Sequence, residues 1–331
     1  MRAMQVTAYD QPLSEQELEM PVPAAGEVLI KVETCGLNFG DLLMIKGTYQ
    51  QKPDLPFTLG MELAGSVAAV GEGVTDLAVG QRIAAYSGLL GLAEYAAIPA
   101  NVCVPIPDDM PSEHAAAFLV AYGTSHVALD YKARLRPGER LLVLGASGGV
   151  GLTAVELGKL MGAEVIACAR GAAKLEICRA AGADHLIDSE TDDIREVVKS
   201  LGGADVVYDP IGGDQFKAAL RACNPEARIL PLGFASGEVP QIPANILLVK
   251  NIDVLGFFWG GYKNFKPQVL TDSFKVLIDW YSSSKIKPHV SHVLPLDQAN
   301  EALDLLRSYY AIPENQRRRL FDLARVLSEA A

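Results

Sequence analysis

Seven consecutive residues, Gly145-Ala146-Ser147-Gly148-Gly149-Val150-Gly151, combine the residue types that let a backbone approach a pyrophosphate. They follow the apolar run Leu141-Leu142-Val143-Leu144 and precede a stretch with helical apolar spacing. Glycines there permit a tight turn and close approach, and the diphosphate charge then rests on the N–H groups that open the helix. Glycine triplets also occur in plain turns; the strand–turn–helix setting is the context a dinucleotide site requires. The second strand of such a unit ends near Ala169, where an acidic residue would bind an unmodified ribose and repel a 2′-phosphate. The sequence there continues Arg170-Gly171-Ala172-Ala173-Lys174, without Asp or Glu. Arg170 and Lys174 are the cations a phosphate would require, although two solvated charges at a helix start would read the same way. NADPH is therefore expected rather than NADH.

The elements that must hold this turn are legible around it. Residues 26–35 alternate apolar and polar side chains, as a half-buried strand does, and short glycine-punctuated β-like runs follow. The first third reads as a glycine-rich β domain with little helix before Ser112. Beyond the turn Arg136-Pro137-Gly138-Glu139, strand and helix patterns alternate to about residue 232. That alternation predicts parallel βαβ units and a doubly wound sheet, so the fold class is α/β. The tail reads as a helix over 272–285, an extended stretch over 288–295 and a helix over 296–310. A last amphipathic helix is expected over 313–330, with Leu320, Leu323, Ala324 and Leu327 on one face.

Composition narrows the partners. The chain has 331 residues, 50% of them hydrophobic, enough for a substantial core. A net charge of -11, relieved by no longer basic run than Arg317-Arg318-Arg319, argues against nucleic acid. The first residues lack the apolar segment of a secretion signal, and no stretch reaches ~18 apolar residues. No membrane span and a cytoplasmic location are expected. Cys35, Cys103, Cys168, Cys178 and Cys223 are scattered and form no CxxC pair, which fits reduced, packed thiols.

Several further motifs occur in a fixed order: Gly36-Leu37-Asn38-Phe39-Gly40-Asp41, Lys46-Gly47-Thr48-Tyr49, residues 56–65 (PFTLGMELAG), the glycine turn, Tyr208-Asp209-Pro210-Ile211-Gly212-Gly213 and Lys250-Asn251-Ile252. Together they resemble the medium-chain dehydrogenase/reductase superfamily, and within it the zinc-independent quinone oxidoreductase branch, from the N-terminus to about Tyr309. The resemblance implies a GroES-like β-rich catalytic domain over 1–118, a Rossmann NADP-binding domain over 119–258, and a return to the catalytic domain over 259–331. It places the active cleft between the two domains.

The same resemblance implies the chemistry. Alcohol dehydrogenases of the superfamily carry a zinc-binding Cys at the position of Asn38 and a His at that of Met61, so no metal is expected here. Without a Lewis acid an alkoxide is hard to stabilise, whereas a conjugated acceptor spreads its charge over an enolate or quinol. An NADPH-dependent reductase acting on a small-molecule quinone or α,β-unsaturated carbonyl is the expectation. An enoyl- or acrylyl-thioester reductase with a basic groove for coenzyme A is an alternative, and a non-catalytic NADPH-binding protein is another.

By the same resemblance Asn38, Asp41 and Tyr49 line the active cleft. Tyr49 would donate the proton, and Asn38 would bind the nicotinamide ribose or the substrate carbonyl. Plainer roles compete: a turn residue for Asn38, a helix cap for Asp41 and a loop aromatic for Tyr49. Tyr122, Gly123 and Thr124 would pass beside the cofactor. Gly233 would contact the cofactor, and Phe257, Phe258 and Trp259 would border its nicotinamide end through backbone groups and a hydrophobic wall, or else form ordinary core or a dimer contact, with 254–258 forming a homodimer edge. Two departures from the family stand out. Ser189 occupies the place of a ribose-binding tyrosine, and the usual closing Gly-Lys strand is missing: either the predicted terminal helix replaces it or the C-terminus packs on a neighbouring subunit.

Overall fold

Alternation along residues 27–37 produces the central strand of the N-terminal sheet: Val28, Ile30 and Val32 are buried while Lys31 is exposed. The computed structural model describes residues 1–311 and 325–328 and divides into two units, Met1–Val120 with Pro288–Ala331, and Ala121–Lys287. The first unit opens with β1 (Arg2–Val6), β2 (Ser14–Glu17), β3 (Glu27–Leu37), α1 (Phe39–Ile45), β4 (Phe57–Thr58) and β5 (Glu62–Val70). It continues through β6 (Arg82–Tyr86), β7 (Tyr95–Pro99), β8 (Cys103–Pro105) and α2 (Ser112–Ala116). Strands β2, β1 and β4 form a small antiparallel sheet. The larger sheet is built on β3, which pairs antiparallel with β5 and β7 and covers a core of Val28, Ile30, Leu63, Ile83 and Ile98. Helix α3 (Leu119–His126) carries the chain across to the second unit.

That unit contains β9 (Arg140–Leu144), α4 (Gly149–Leu160), β10 (Glu164–Ala169), α5 (Ala172–Ala180), β11 (His185–Asp188) and α6 (Ile194–Ser200). Then follow β12 (Ala204–Asp209), α7 (Gly213–Ala222), β13 (Cys223–Pro231), α8 (Ala244–Lys250), β14 (Asp253–Val254), α9 (Tyr262–Phe265) and α10 (Pro267–Ser282). The strands lie in the order β11-β10-β9-β12-β13-β14 with every neighbouring pair parallel, the Rossmann arrangement. Leu142, Leu144, Ile166, Val207, Phe216 and Ile229 pack in its core.

The return to the first unit comes later than the sequence suggests, after Lys287 rather than at 259. Packing accounts for the difference. Trp259 stacks edge-on against Phe274 of α10, and His126 Nδ1 lies 2.9 Å from Ser273 Oγ, which ties α10 to the second unit. The first unit is then resumed by β15 (His292–Leu294), α11 (Ala299–Ala311) and β16 (Arg325–Ser328).

Strand β16 corrects the expected terminal helix. It pairs parallel with β15 and antiparallel with β3, in register from Arg325 opposite Leu37 to Ser328 opposite Thr34. The edge of β3 is covered by β7 only as far as Lys31, so the backbone of Thr34–Leu37 needs a partner there. That tertiary demand outweighs the helical spacing of the local sequence. The remaining residues of the expected helix, including Arg317-Arg318-Arg319, lie outside the described residues.

Candidate active site

The glycine turn is built as its residue types require. Gly145 has φ +58, and Gly148 caps α4 in extended conformation. A Cβ on Gly151 would lie 2.2 Å from the Gly145 carbonyl oxygen, and one on Gly145 would lie 2.6 Å from the Ile211 side chain. Ala146 and Ser147 are buried, and Gly149, Val150 and Gly151 form the first turn of α4. The first N–H groups of a helix have no partner within it and make an anion cradle. Beneath the turn, Ser125 Oγ donates to the Val150 carbonyl at 2.9 Å and lies 2.9 Å from Tyr208 Oη and 2.8 Å from Thr153 Oγ1. This buried hydroxyl network holds the first turn of α4 against α3 and β12.

At the carboxyl end of β12, Asp209 Oδ1 accepts from the amides of Ile211 (2.8 Å) and Gly212 (2.9 Å), fixing the loop that abuts Gly145. Burial raises this carboxyl to about 6, against the pull of those amides. Gly233, beyond β13, sits against the Pro210 carbonyl. Gly145, Ile211 and Gly233 therefore gather at the carboxyl ends of adjacent strands, where α/β sheets bind ligands.

Arg170 and Lys174 follow β10, but Arg170 is not a free cation. Its Nε lies 3.3 Å from Glu190 Oε1, a residue beyond β11 that sequence proximity did not flag. Lys174 is half-buried in the first turn of α5, and Thr124 is half-buried on α3. Phe258 is exposed and Phe257 packs on Tyr262. Trp259 is buried against Phe274 and the face of Gly123. A side chain at residue 123 would collide with that indole, so the Gly123–Trp259 contact is core packing.

The second polar constellation lies in the first unit. Asn38 caps α1, its amide donating to Asp41 Oδ2 at 2.8 Å. Its side-chain Nδ2 donates to Glu62 Oε1 at 2.9 Å, and Glu62 Oε2 accepts from the Val120 amide at 2.9 Å. Asp41 is 0% exposed and Glu62 2%. Asp41 thus stands behind Asn38 and fills the helix-capping role. The amides of Gly60 and Met61 also point toward its carboxylate, but Oδ1 has no hydrogen bond of ordinary geometry. Burial raises Asp41 to about 7 and Glu62 to about 8.

Tyr49 is half-buried, its ring against Gly40 beside the Met61 sulfur, and it shares a hydrogen bond with Tyr86. Burial and then the Asp41 charge hold the Tyr49 phenol above its ordinary range. Glu62 and Tyr86 were not singled out from sequence as site residues. The only hint was the place of Glu62 inside the GMELAG motif.

The buried carboxyls make stability pH-dependent. In the unfolded chain both ionise near pH 4, so between about 4 and 8 the folded protein holds protons that the unfolded chain has released. Stability is then fullest at the acid end of that window and falls as pH rises toward 8. The expected fall from pH 5 to 8.5 is on the order of a few kcal/mol. It should be much smaller in the double variant Asp41→Asn/Glu62→Gln, measured by urea unfolding. An equal fall in both proteins would place the protons elsewhere.

Among the described residues, no group of three or more His, Cys, Asp or Glu side chains is placed to hold a metal ion. No helix among them is long and apolar enough to cross a membrane. All five cysteines are free; burial pushes Cys103, Cys168, Cys178 and Cys223 up to about 12, and Cys35 well up too. None is a poised nucleophile.

Residues 24–108 match the family model of the alcohol dehydrogenase GroES-like domain, and residues 149–275 match that of the zinc-binding dehydrogenases. With the Rossmann sheet, these matches define the class: the chain belongs to the medium-chain dehydrogenase/reductase superfamily. It is 40% identical over 286 residues to the quinone oxidoreductase-like protein 2 homolog of Nematostella vectensis, spanning 85% of this chain and 78% of that one. Its fold is similar to that of Escherichia coli quinone oxidoreductase, solved as an NADPH complex, with a TM-score of 0.88, 28% identity and 99% and 100% of the two chains covered. Quinone oxidoreductase from Thermus thermophilus, also solved with NADPH, gives a TM-score of 0.85, 30% identity and the same coverage. Within the superfamily the chain falls in the quinone oxidoreductase-like branch.

Proposed function

We propose that this protein is an NADPH-dependent reductase that delivers a hydride to a quinone or an α,β-unsaturated carbonyl without a catalytic metal. The observation that carries the reading is the glycine turn at the head of α4, where a Cβ on Gly151 would strike the Gly145 carbonyl. Such a turn leaves no room for side chains and presents backbone N–H groups to a diphosphate. Bound there, NADPH would supply the hydride; its presence in the Escherichia coli and Thermus complexes supports the choice of cofactor.

Zinc does not fit this chain. The superfamily's ligand positions hold Asn38, whose amide nitrogen donates to Glu62, and Met61, whose sulfur packs against Gly40. The chain's own polar groups must therefore manage the charge that develops on the acceptor. One hydrogen of the Asn38 amide is held by Glu62, which orients the group and leaves the other to bind an acceptor oxygen. Tyr49 supplies the proton that completes the two-electron reduction, and the Tyr86 hydroxyl hydrogen-bonds the phenolate that remains until solvent reprotonates it. Asp41 and Glu62 position Asn38 from behind.

Parallel assays of NADPH consumption with 1,4-benzoquinone, a simple enone and crotonyl-thioester rank the acceptors. A clear preference for the thioester would replace this reading with the enoyl-thioester one, and no turnover with any of the three would remove it. Cofactor choice is tested at Arg170. A 2′-phosphate would take the guanidinium over from Glu190, forming charge-assisted hydrogen bonds. Arg170→Ala is expected to raise the Kd of NADPH roughly tenfold or more and to leave that of NADH within about twofold. Equal effects on both cofactors would sink the phosphate assignment.

A further inference from the structure

The chain passes between its two units twice, at Val120–Ala121 inside α3 and at Lys287–Pro288. Both crossings are tied to one side chain. The Tyr122 hydroxyl donates to Glu156 Oε2 at 2.6 Å, and the Lys287 amide donates to Glu156 Oε1 at 2.9 Å. Each oxygen of a single carboxylate thus holds one crossing. Charge-assisted hydrogen bonds of this length are among the stronger kind, and here the acceptor is half-buried.

The position of Glu156 gives the arrangement its meaning. It lies on α4, little more than one turn beyond Gly151, in the helix that the glycine turn opens. On the other side of the first crossing, the Val120 amide binds Glu62, the same carboxyl that orients Asn38. Within the first unit Glu62 ties Asn38 to the first turn of α3, and within the second Glu156 ties Tyr122 and Lys287 to α4. Burial raises Glu156, and the hydrogen bonds from Tyr122 and Lys287 pull it back toward the ionised form that accepts them; burial raises Tyr122 as well, which keeps its hydroxyl a donor.

We infer that Glu156 is a positioning residue for hydride transfer: it fixes both chain crossings to the helix that the glycine turn opens. The inference rests on the NADPH reading for its consequence in turnover, while the clamp itself is a property of the unliganded chain. Residues at which a chain passes between units commonly control kcat without touching the reactants. A clamp that loosens by a fraction of an ångström is enough to lower the rate of a geometry-sensitive step.

Hydrogen exchange on the full-length protein without cofactor tests the clamp. Glu156→Ala should accelerate exchange in peptides covering 118–124 and 285–291, and leave β9 and β10 unchanged. Tyr122→Phe should accelerate the first peptide alone, a split that general loss of stability would not produce. With cofactor, Glu156→Ala should lower kcat about tenfold while the Kd of NADPH stays within about threefold, and Glu156→Gln should recover part of the loss. Unchanged exchange at either crossing would overturn the inference. So would an unchanged kcat accompanied only by a lower Tm. If the wild-type protein reduced none of the acceptors, the proposed reduction would fall, and the exchange pattern would still decide whether Glu156 clamps the crossings.

Discussion

Gly151→Val abolishes NADPH binding in the micromolar range while leaving the chain folded. The reason is steric and local. The added Cβ would lie 2.2 Å from the Gly145 carbonyl oxygen and 2.9 Å from the Ala146 Cα, and both obstacles are backbone. Neither can rotate away as a flexible side chain would, so the turn must open or α4 must move off it. Either response displaces the N–H groups of 149–151 from the position a diphosphate needs. The expected loss of affinity is at least a hundredfold, equivalent to ~2.7 kcal/mol. Far-ultraviolet circular dichroism of the variant should match the wild type, because the rest of α4 keeps its core contacts through Val155 and Leu157. Cofactor fluorescence titration reads the loss directly. Binding within threefold of wild type would mean that the dinucleotide does not use this turn.

Tyr49→Phe should lower kcat by about a hundredfold, the usual contribution of a positioned proton donor. Burial and the neighbouring Asp41 keep the phenol protonated well into the alkaline range, so the wild type retains its donor at every ordinary assay pH. Phenylalanine keeps the ring packed against Gly40 and removes only the hydroxyl. Cofactor affinity and thermal stability should therefore change little, which separates this variant from one that merely disturbs the loop. The residual rate should depend on the concentration of added general acids, since solvent must then supply the proton. Unchanged kcat across the pH range would leave Tyr49 as a packing residue and shift attention to Tyr86.

How much of this is legible before the structure follows from how local each cause is. The glycine turn is readable because its strand, turn and helix lie in one continuous stretch, and the parallel sheet is readable because its units repeat that pattern. The capping of α1 is visible in the spacing of Asn38 and Asp41. Glu62 is harder, since it meets Asn38 across 24 residues and only the folded sheet brings them together. The Arg170–Glu190 pair escapes sequence reading for a similar reason: the partner arrives from the neighbouring strand. The contact of Trp259 with Gly123 is likewise not readable in sequence, because 136 residues separate the two and only the folded unit brings them together. The strand at Arg325–Ser328 cannot be read locally at all, because its cause is an unpaired edge of β3 near the other end of the chain.

Hydride transfer from NADPH to a conjugated acceptor by a metal-free protein is tested most directly by one absorbance assay. The near-ultraviolet band of reduced nicotinamide is followed with 1,4-benzoquinone as acceptor, after exhaustive treatment of the protein with a zinc chelator. The expected result is catalytic consumption of NADPH, at a rate unaffected by the chelator and not increased when zinc is restored. No consumption above the uncatalysed rate, or consumption that appears only with added zinc, would contradict it.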